Sequence, residues 1–169
     1  LADINIIINH IKKIFDQNLI LENKKILITA GPTQESLDPV RFITNRSSGK
    51  MGYAIAKAAK EYGGKVTLIS GPVHIDKISG LTHVDVQSAH DMKNEIQNQL
   101  SLYNFDFIFM VAAISDFTPA NYSNNKIKSD SNIQNIKLER TIDIMEQIIS
   151  KSNAIKIAFA LETENGEDN

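Results

Sequence analysis

Apolar residues fall along this chain in short blocks separated by polar, glycine-rich breaks. Ile4, Ile7, Ile8, Ile11, Ile14 and Phe15 recur at helical spacing behind Asp3, which predicts an opening amphipathic helix capped by that aspartate. After a polar break at Asn18 to Lys25, the block Ile26 to Ala30 reads as a short buried strand that ends at Gly31-Pro32. Gly31 to Ser48 shows no period, and an irregular stretch of that length inside a domain is usually functional or disordered. Gly49 to Tyr62 reads as a helix with Ala54, Ile55, Ala58 and Ala59 inward, stopped by Gly63-Gly64. Val66 to Ser70 predicts a second strand closed by Gly71-Pro72, and His83 to Val86 a third. Ser88 to Leu102 is a helix with Met92, Ile96 and Leu100 in register. The continuous apolar run Phe105 to Ala113 marks a strand covered on both faces. Asn121 to Asn135 is polar and irregular, Ile136 to Glu139 a short strand, Ile142 to Ser150 a helix, and Ile155 to Leu161 a last strand. This alternation predicts an α/β fold: a Rossmann-like, doubly wound, mostly parallel sheet with helices on both faces.

Composition narrows the partners. Eighteen Lys and Arg against twenty Asp and Glu leave a net charge of −2, so no long-range field draws in nucleic acid or an anionic membrane. An anionic ligand must be held by local backbone donors and a few placed cations. Absence of cysteine excludes disulfides, thiolate metal sites and a cysteine nucleophile. Apolar runs such as Phe107 to Ile114 are too short to span a bilayer, and no signal peptide is apparent, so a cytoplasmic protein is expected. His10, His74, His83 and His90 lack metal-ligand spacing.

In an open α/β sheet, ligands bind outside the carboxyl ends of the strands. Three segments leave strands there: Gly31 onward, Ala112 to Asp116, and Phe159 to Thr163. In Asn45-Arg46-Ser47-Ser48-Gly49-Lys50-Met51-Gly52, a serine pair and glycine at a helix start offer free N–H groups to a phosphate. The competing explanation is that Ser48 merely caps the helix and the glycines ease packing. The segment is neither a Walker A loop nor G-x-G-x-x-G. Tyr53 and Lys57 match the Tyr-x-x-x-Lys pair of short-chain reductases, but they stand on the first helix after the first core strand, where that pair has no partner motif. Small residues at Ala112-Ala113 let a flat ligand lie on the backbone, and Asp116 can accept hydrogen bonds from a base or ribose, or simply cap a turn. Lys126-Ile127-Lys128 sets two lysines on one side of an extended segment, suited to a triphosphate or to plain solvated surface.

Taken in order, these segments resemble phosphopantothenoylcysteine synthetase. The resemblance rests on Ile28 to Thr33, Asp38-Pro39-Val40-Arg41, Asn45 to Gly52, Ser70-Gly71-Pro72, Ala112-Ala113 with Asp116, Lys126-Ile127-Lys128 and Phe159-Ala160-Leu161-Glu162-Thr163. It covers Lys25 to the end, with residues 1–24 as an amino-terminal helix or linker and 25–169 as the nucleotide-binding ligase domain. The resemblance implies CTP-dependent joining of 4'-phosphopantothenate to cysteine through an acyl-cytidylate, with Mg²⁺ on the phosphates. By the same resemblance Asn45 holds the acyl-nucleotide carbonyl and Arg41 serves the same loop. Met110, Val111 and Ala112 with Asp116 receive the nucleoside, and Phe159 packs near the cytidine. Lys126 neutralises the triphosphate, and Ser47, Ser48, Gly49, Lys50 and Gly52 form the phosphate-facing helix start. Ile142, Asp143, Ile144 and Met145 form a further nucleotide-contacting turn, and Ala113 lies at a homodimer contact.

Three features depart from the family pattern. Thr141-Ile142-Asp143 stands where Asn-Pro-Asp is usual, Met110 and Ile114 are bulky, and the chain stops soon after Glu162-Thr163-Glu164, short of lysines that close over the nucleotide. The opening helix resembles the linker to an upstream FMN-dependent decarboxylase. The expectation is therefore a piece of a bifunctional protein, weak in ligation by itself. Two alternatives stand beside this reading, an NAD(P)-dependent reductase and a catalytically incomplete nucleotide-binding or assembly module.

Overall fold

The computed structural model describes residues 3–8, 19–128, 135–145 and 151–160. Strand β1, Lys25–Ala30, is the axis of the molecule: all but its first residue are buried. It pairs in parallel with β4, Lys65–Ser70, on one side and with β6, Phe107–Met110, on the other. Beyond β4 lies β5, Thr82–Asp85, and beyond β6 lies β9, Ile155–Ala158, both also parallel. The order β5-β4-β1-β6-β9 grows outward from β1 in one direction and then the other. This is the doubly wound arrangement, and its switch point lies between the carboxyl ends of β1 and β6.

Alternate residues of β1 point to opposite faces. Ile26, Ile28 and Ala30 meet Tyr53, Ala56 and Ala59 of helix α1, Lys50–Glu61. Leu27 meets Met92 and Ile96 of helix α2, Ala89–Leu102, with Ile144 in the same cluster. The inward face of α1 differs from expectation: Ala54 and Ala58 are exposed, while Gly52, Tyr53, Ala56 and Ala59 are buried. The reason is close approach at Gly52, where a Cβ would stand 2.5 Å from the Ala30 Cβ, so the helix turns its glycine onto the strand. Helix α2 follows the predicted register. Its Ser88 cap accepts from the Asp91 N–H at 3.1 Å, and the Asp91 carboxylate accepts from the Ser88 N–H at 2.9 Å.

The stretch Gly31 to Ser48 is not wholly irregular. It contains the antiparallel pair β2, Gln34–Ser36, and β3, Phe42–Thr44, joined by a turn at Leu37 to Arg41. Strands of three residues with one mixed face leave no readable period. A second antiparallel pair, β7, Phe117–Pro119, with β8, Leu138–Arg140, also stands outside the main sheet. The run Phe105 to Ala113 forms a ladder only to Met110, because the chain there leaves β1 for a side-chain partner. Of the helix predicted over Ile142 to Ser150, Ile142 and Asp143 are not helical, residues 144 and 145 are, and residues 146–150 lie outside the described residues. The opening helix is present over residues 4–8, where the Asn5 N–H bonds the Asp3 side chain at 2.7 Å. Ile4, Ile7 and Ile8 are exposed there, and Ile11, Ile14 and Phe15 lie outside the described residues.

Candidate functional site

At the switch point, hydroxyl groups replace the sheet ladder where β1 and β6 part. Thr29 is fully buried, and its Oγ1 accepts from the Val111 N–H at 3.1 Å and the Ala112 N–H at 3.2 Å. Four residues on, buried Thr33 repeats the device, accepting from the Ser115 N–H at 2.9 Å. Between them the backbone still bonds directly, Ala113 N–H to Gly31 carbonyl at 2.9 Å. Thr44 of β3 donates to the Thr33 carbonyl at 2.7 Å, fixing the β2–β3 pair to the same edge. The Asn45 amide donates to the Ile114 carbonyl at 3.0 Å. Thr141 closes the other side, with its hydroxyl on the Ser115 carbonyl at 2.5 Å and its N–H on the Asp116 carbonyl at 2.9 Å. The Phe159 N–H bonds the Met110 carbonyl at 3.1 Å.

Beside these ties, at the carboxyl ends of β6 and β9, lies a cleft of about 380 Å³. Met110, Ala112 and Asp116 form one wall, Ile142 to Met145 the second, and Phe159 with Ala158 the third. Residues far apart in sequence are thus brought together around one cleft. Val111 and Ala113 do not line the cleft: Val111 packs toward α1, and the Ala113 carbonyl receives the Thr33 N–H at 3.3 Å. The N–H groups of Val111 and Ala112 are engaged by Thr29, and the carbonyls of Met110, Ala113, Ile114, Ser115 and Asp116 by Phe159, Thr33, Asn45 and Thr141, which leaves the Asp116 carboxylate as an exposed polar group lining the cleft. Arg140 is the cation among the described lining residues. Sequence reasoning passed over it, although it stands immediately before the Thr141-Ile142-Asp143 turn.

The helix start at Ser47 to Gly52 stands apart from this cleft. Gly49 is the cap of α1, at φ 74°, with no side-chain capping bond; Ser48 Oγ lies 3.5 Å from the Lys50 N–H, too far to serve well. A Cβ at Gly49 would stand 2.7 Å from a Val73 methyl, and one at Gly31 2.8 Å from the same methyl. Both glycines are therefore required by backbone conformation and by the packing of Val73. Ser48 and Lys50 remain exposed.

Arg41 is held from two sides. Its Nε lies 3.2 Å from Asp38 Oδ2, and its Nη2 donates to the Ile127 carbonyl. Burial opposes ionisation of Asp38, but the N–H groups of Ile127, Val40 and Arg41 and the Arg41 charge outweigh it and hold its carboxyl below the ordinary aspartate range. The segment 121–128 is thus tied to the turn at Leu37 to Arg41, through Ile127 and through the Ser123 N–H on the Leu37 carbonyl at 3.0 Å. Lys126 is exposed and does not line the cleft.

A larger cleft, about 910 Å³, opens at the ends of β4 and β5 and carries the Lys77–Asp85 ion pair at 2.6 Å. It gathers none of the predicted site residues apart from its neighbourhood to α1, so volume does not select the site here. Tyr53, the first half of the reductase-like pair, is buried with its hydroxyl on Ser70 at 3.3 Å, while Lys57 lies 4.0 Å from Glu61. The pair does not act as a unit. Among the described residues no three His, Asp or Glu side chains form a metal cage. Asp116 and Asp143 in the cleft supply hard oxygen donors of the kind that suit a Mg²⁺ carried on phosphates. No helix among the described residues is long and apolar enough to cross a membrane.

Comparison with known proteins agrees with this fold. The chain is 45% identical over 150 residues to the coenzyme A biosynthesis bifunctional protein CoaBC of Bacillus subtilis, covering 87% of this chain and 36% of that protein. It is 40% identical over 162 residues to the protein of the same name from Vibrio parahaemolyticus, covering 94% and 40%. The chain therefore spans well under half the length of these relatives. The crystal structure of a CoaBC C-terminal domain superposes with a TM-score of 0.76 at 42% identity, covering 89% of this chain and 70% of that one. Residues 21–169 match the profile of the DNA/pantothenate metabolism flavoprotein C-terminal domain, and the chain belongs to that family.

Proposed function

We propose that this domain is the CTP-dependent phosphopantothenate–cysteine ligase of coenzyme A biosynthesis. The observation that carries the reading is the cleft at the carboxyl ends of β6 and β9, beside the β1–β6 switch point, which gathers Met110, Ala112, Asp116, Ile142 to Met145 and Phe159 from three separate segments. Relatives named for coenzyme A biosynthesis support the pathway.

A carboxylate is a poor electrophile, and the reaction gives it a leaving group. The 4'-phosphopantothenate carboxylate oxygen attacks the α-phosphorus of CTP, the bond to the β-phosphate breaks, and pyrophosphate leaves. The cysteine amine then attacks the acyl carbon and CMP departs with the shared oxygen. The nucleoside occupies the cleft, with Asp116 accepting from base or ribose and Phe159 against the ring. The Asn45 amide nitrogen is held at the Ile114 and Ala113 carbonyls, which sets its orientation, and the side chain meets the acyl-cytidylate carbonyl once that group forms. Arg41 orders the same loop. Lys126, with the Ser47 to Gly52 helix start, neutralises the phosphates. Mg²⁺, bound with the nucleotide, offsets charge on the phosphate oxygens.

The protein acts as a homodimer with Ala113 near the contact, and its substrates are small molecules, not nucleic acid. An upstream FMN-dependent decarboxylase domain supplies a neighbouring activity in the same polypeptide. The test is calorimetric titration with CTP, ATP and GTP, followed by a pyrophosphate assay with 4'-phosphopantothenate and cysteine in the full-length protein. CTP should bind most tightly and pyrophosphate should appear only with phosphopantothenate present. Equal or tighter ATP binding overturns the nucleotide assignment, and no pyrophosphate overturns the ligase reading.

A further inference from the structure

The Asp38 side chain is fully withdrawn from solvent, yet it lies in a turn outside the central sheet. Its two oxygens have different tasks. Oδ1 accepts from the Val40 and Arg41 N–H groups, both at 2.8 Å, and closes the turn locally. Oδ2 reaches across 89 positions of sequence to the Ile127 N–H at 3.1 Å, and lies against Arg41 Nε at 3.2 Å. Arg41 in turn donates to the Ile127 carbonyl. Both polar groups flanking one residue are therefore gripped by an ion pair whose members also grip each other. A third tie, Ser123 N–H to Leu37 carbonyl at 3.0 Å, fixes the start of the same segment.

What is gripped matters more than the grip. Ile127 is half-buried, and the residues on either side, Lys126 and Lys128, are exposed. A turn needs only the Oδ1 bonds; the Oδ2 bond adds nothing to the turn and fixes the residue between two lysines. We propose that Asp38 is a positioning residue: by locking Ile127, directly and through Arg41, it sets where the Lys126–Lys128 segment presents its cations to a polyphosphate. Asp38 itself touches no ligand. This inference rests on the reading that Lys126 meets the triphosphate of the nucleotide.

Charge and position predict opposite signs, which makes the proposal testable. Removing a carboxylate leaves Arg41 uncompensated, which by charge alone strengthens anion binding. Loss of position weakens it. Asp38→Asn keeps an oxygen for the Val40 and Arg41 amides and puts an amide NH2, a donor, where Ile127 N–H and Arg41 Nε need an acceptor. The measurements are amide hydrogen exchange without ligand, and calorimetric titration of the whole chain with tripolyphosphate and, separately, with cytidine. The Ile127 amide should exchange at least roughly tenfold faster, while Ile28 and Leu68 in the sheet keep their protection. Tripolyphosphate affinity should fall several-fold with cytidine affinity unchanged. If Asp38→Asn also unprotects the sheet, Ile127→Pro removes the same N–H from the outer side of the contact and should produce the same selective loss. Unchanged Ile127 exchange, or tripolyphosphate binding equal to or tighter than that of the unmodified chain, overturns the proposal. An unmodified chain that binds neither probe rejects the nucleotide reading itself, a result distinct from a variant that binds normally.

Discussion

Thr29→Val tests whether a single hydroxyl holds the site open. The substitution keeps the shape of a fully buried side chain but removes the acceptor for two N–H groups, those of Val111 and Ala112. The hydroxyl proton gives little back, since its own acceptors are the Phe109 carbonyl at 3.5 Å and the Met110 sulfur at 3.9 Å. A buried donor left unsatisfied costs about 1–3 kcal/mol. Val111 and Ala112 are only half-buried, so the lower part of that range applies to each. The pair together then costs roughly 2–3 kcal/mol, a large share of the roughly 5–15 kcal/mol that holds a domain folded. With a urea dependence of about 2 kcal/mol per molar, the unfolding midpoint drops by roughly 1–1.5 M. CTP affinity should fall with it, because Met110 and Ala112 form one wall of the cleft. Thr29→Ser retains Oγ and should recover the affinity, at a cost of about 1 kcal/mol for the lost methyl. A Val variant whose midpoint stays within about 0.25 M of the original would refute the argument, because the N–H groups would then have found another acceptor.

Lys126→Ala removes one exposed cation and should weaken CTP binding about fivefold or less, since an exposed pair contributes about 1 kcal/mol or less; unchanged affinity by calorimetry returns Lys126 to solvated surface. Asn45→Ala, measured in the full-length protein, should lower turnover more than it raises the CTP dissociation constant, because the acyl-cytidylate carbonyl exists only after the first step; equal loss in both would remove Asn45 from that role. Asp38 and Asp91 both have lowered carboxyl pKa values, Asp91 chiefly through its bond from the Ser88 N–H. Their contribution is complete above the unfolded aspartate value of 3.8 and is lost as pH falls through the lower folded values, so urea midpoints should decline below about pH 4 and less steeply in Asp91→Asn. Light scattering should give a dimer, and a persistent species at 18.8 kDa at high concentration would contradict it.

The main sheet and its helices were legible in sequence wherever a local rule governs them. Buried strands show as apolar runs, and Ser88 with Asp91 announces its helix because both partners of the capping box lie within one turn. The resemblance likewise named most of the cleft wall, since Ala112, Asp116 and Phe159 stand directly after strands. What tertiary structure alone decided depends on partners distant in sequence. The buried face of α1 was set by how closely Gly52 can approach Ala30, which no period within the helix records. The β2–β3 and β7–β8 pairs are too short and too exposed to imprint an alternation. Val73 packs against Gly31 and Gly49 where a Cβ would stand, so both glycines serve close packing, a fact invisible in the motif. Thr29 and Asp38 read as an ordinary strand residue and an ordinary turn residue; only folding shows that their oxygens serve backbone groups 82 and 89 positions away. Hydrophobic pattern is a property of neighbours along the chain and survives in one dimension. Hydrogen bonds that close a site are properties of neighbours in space, and they exist only once the sheet has brought its carboxyl ends together.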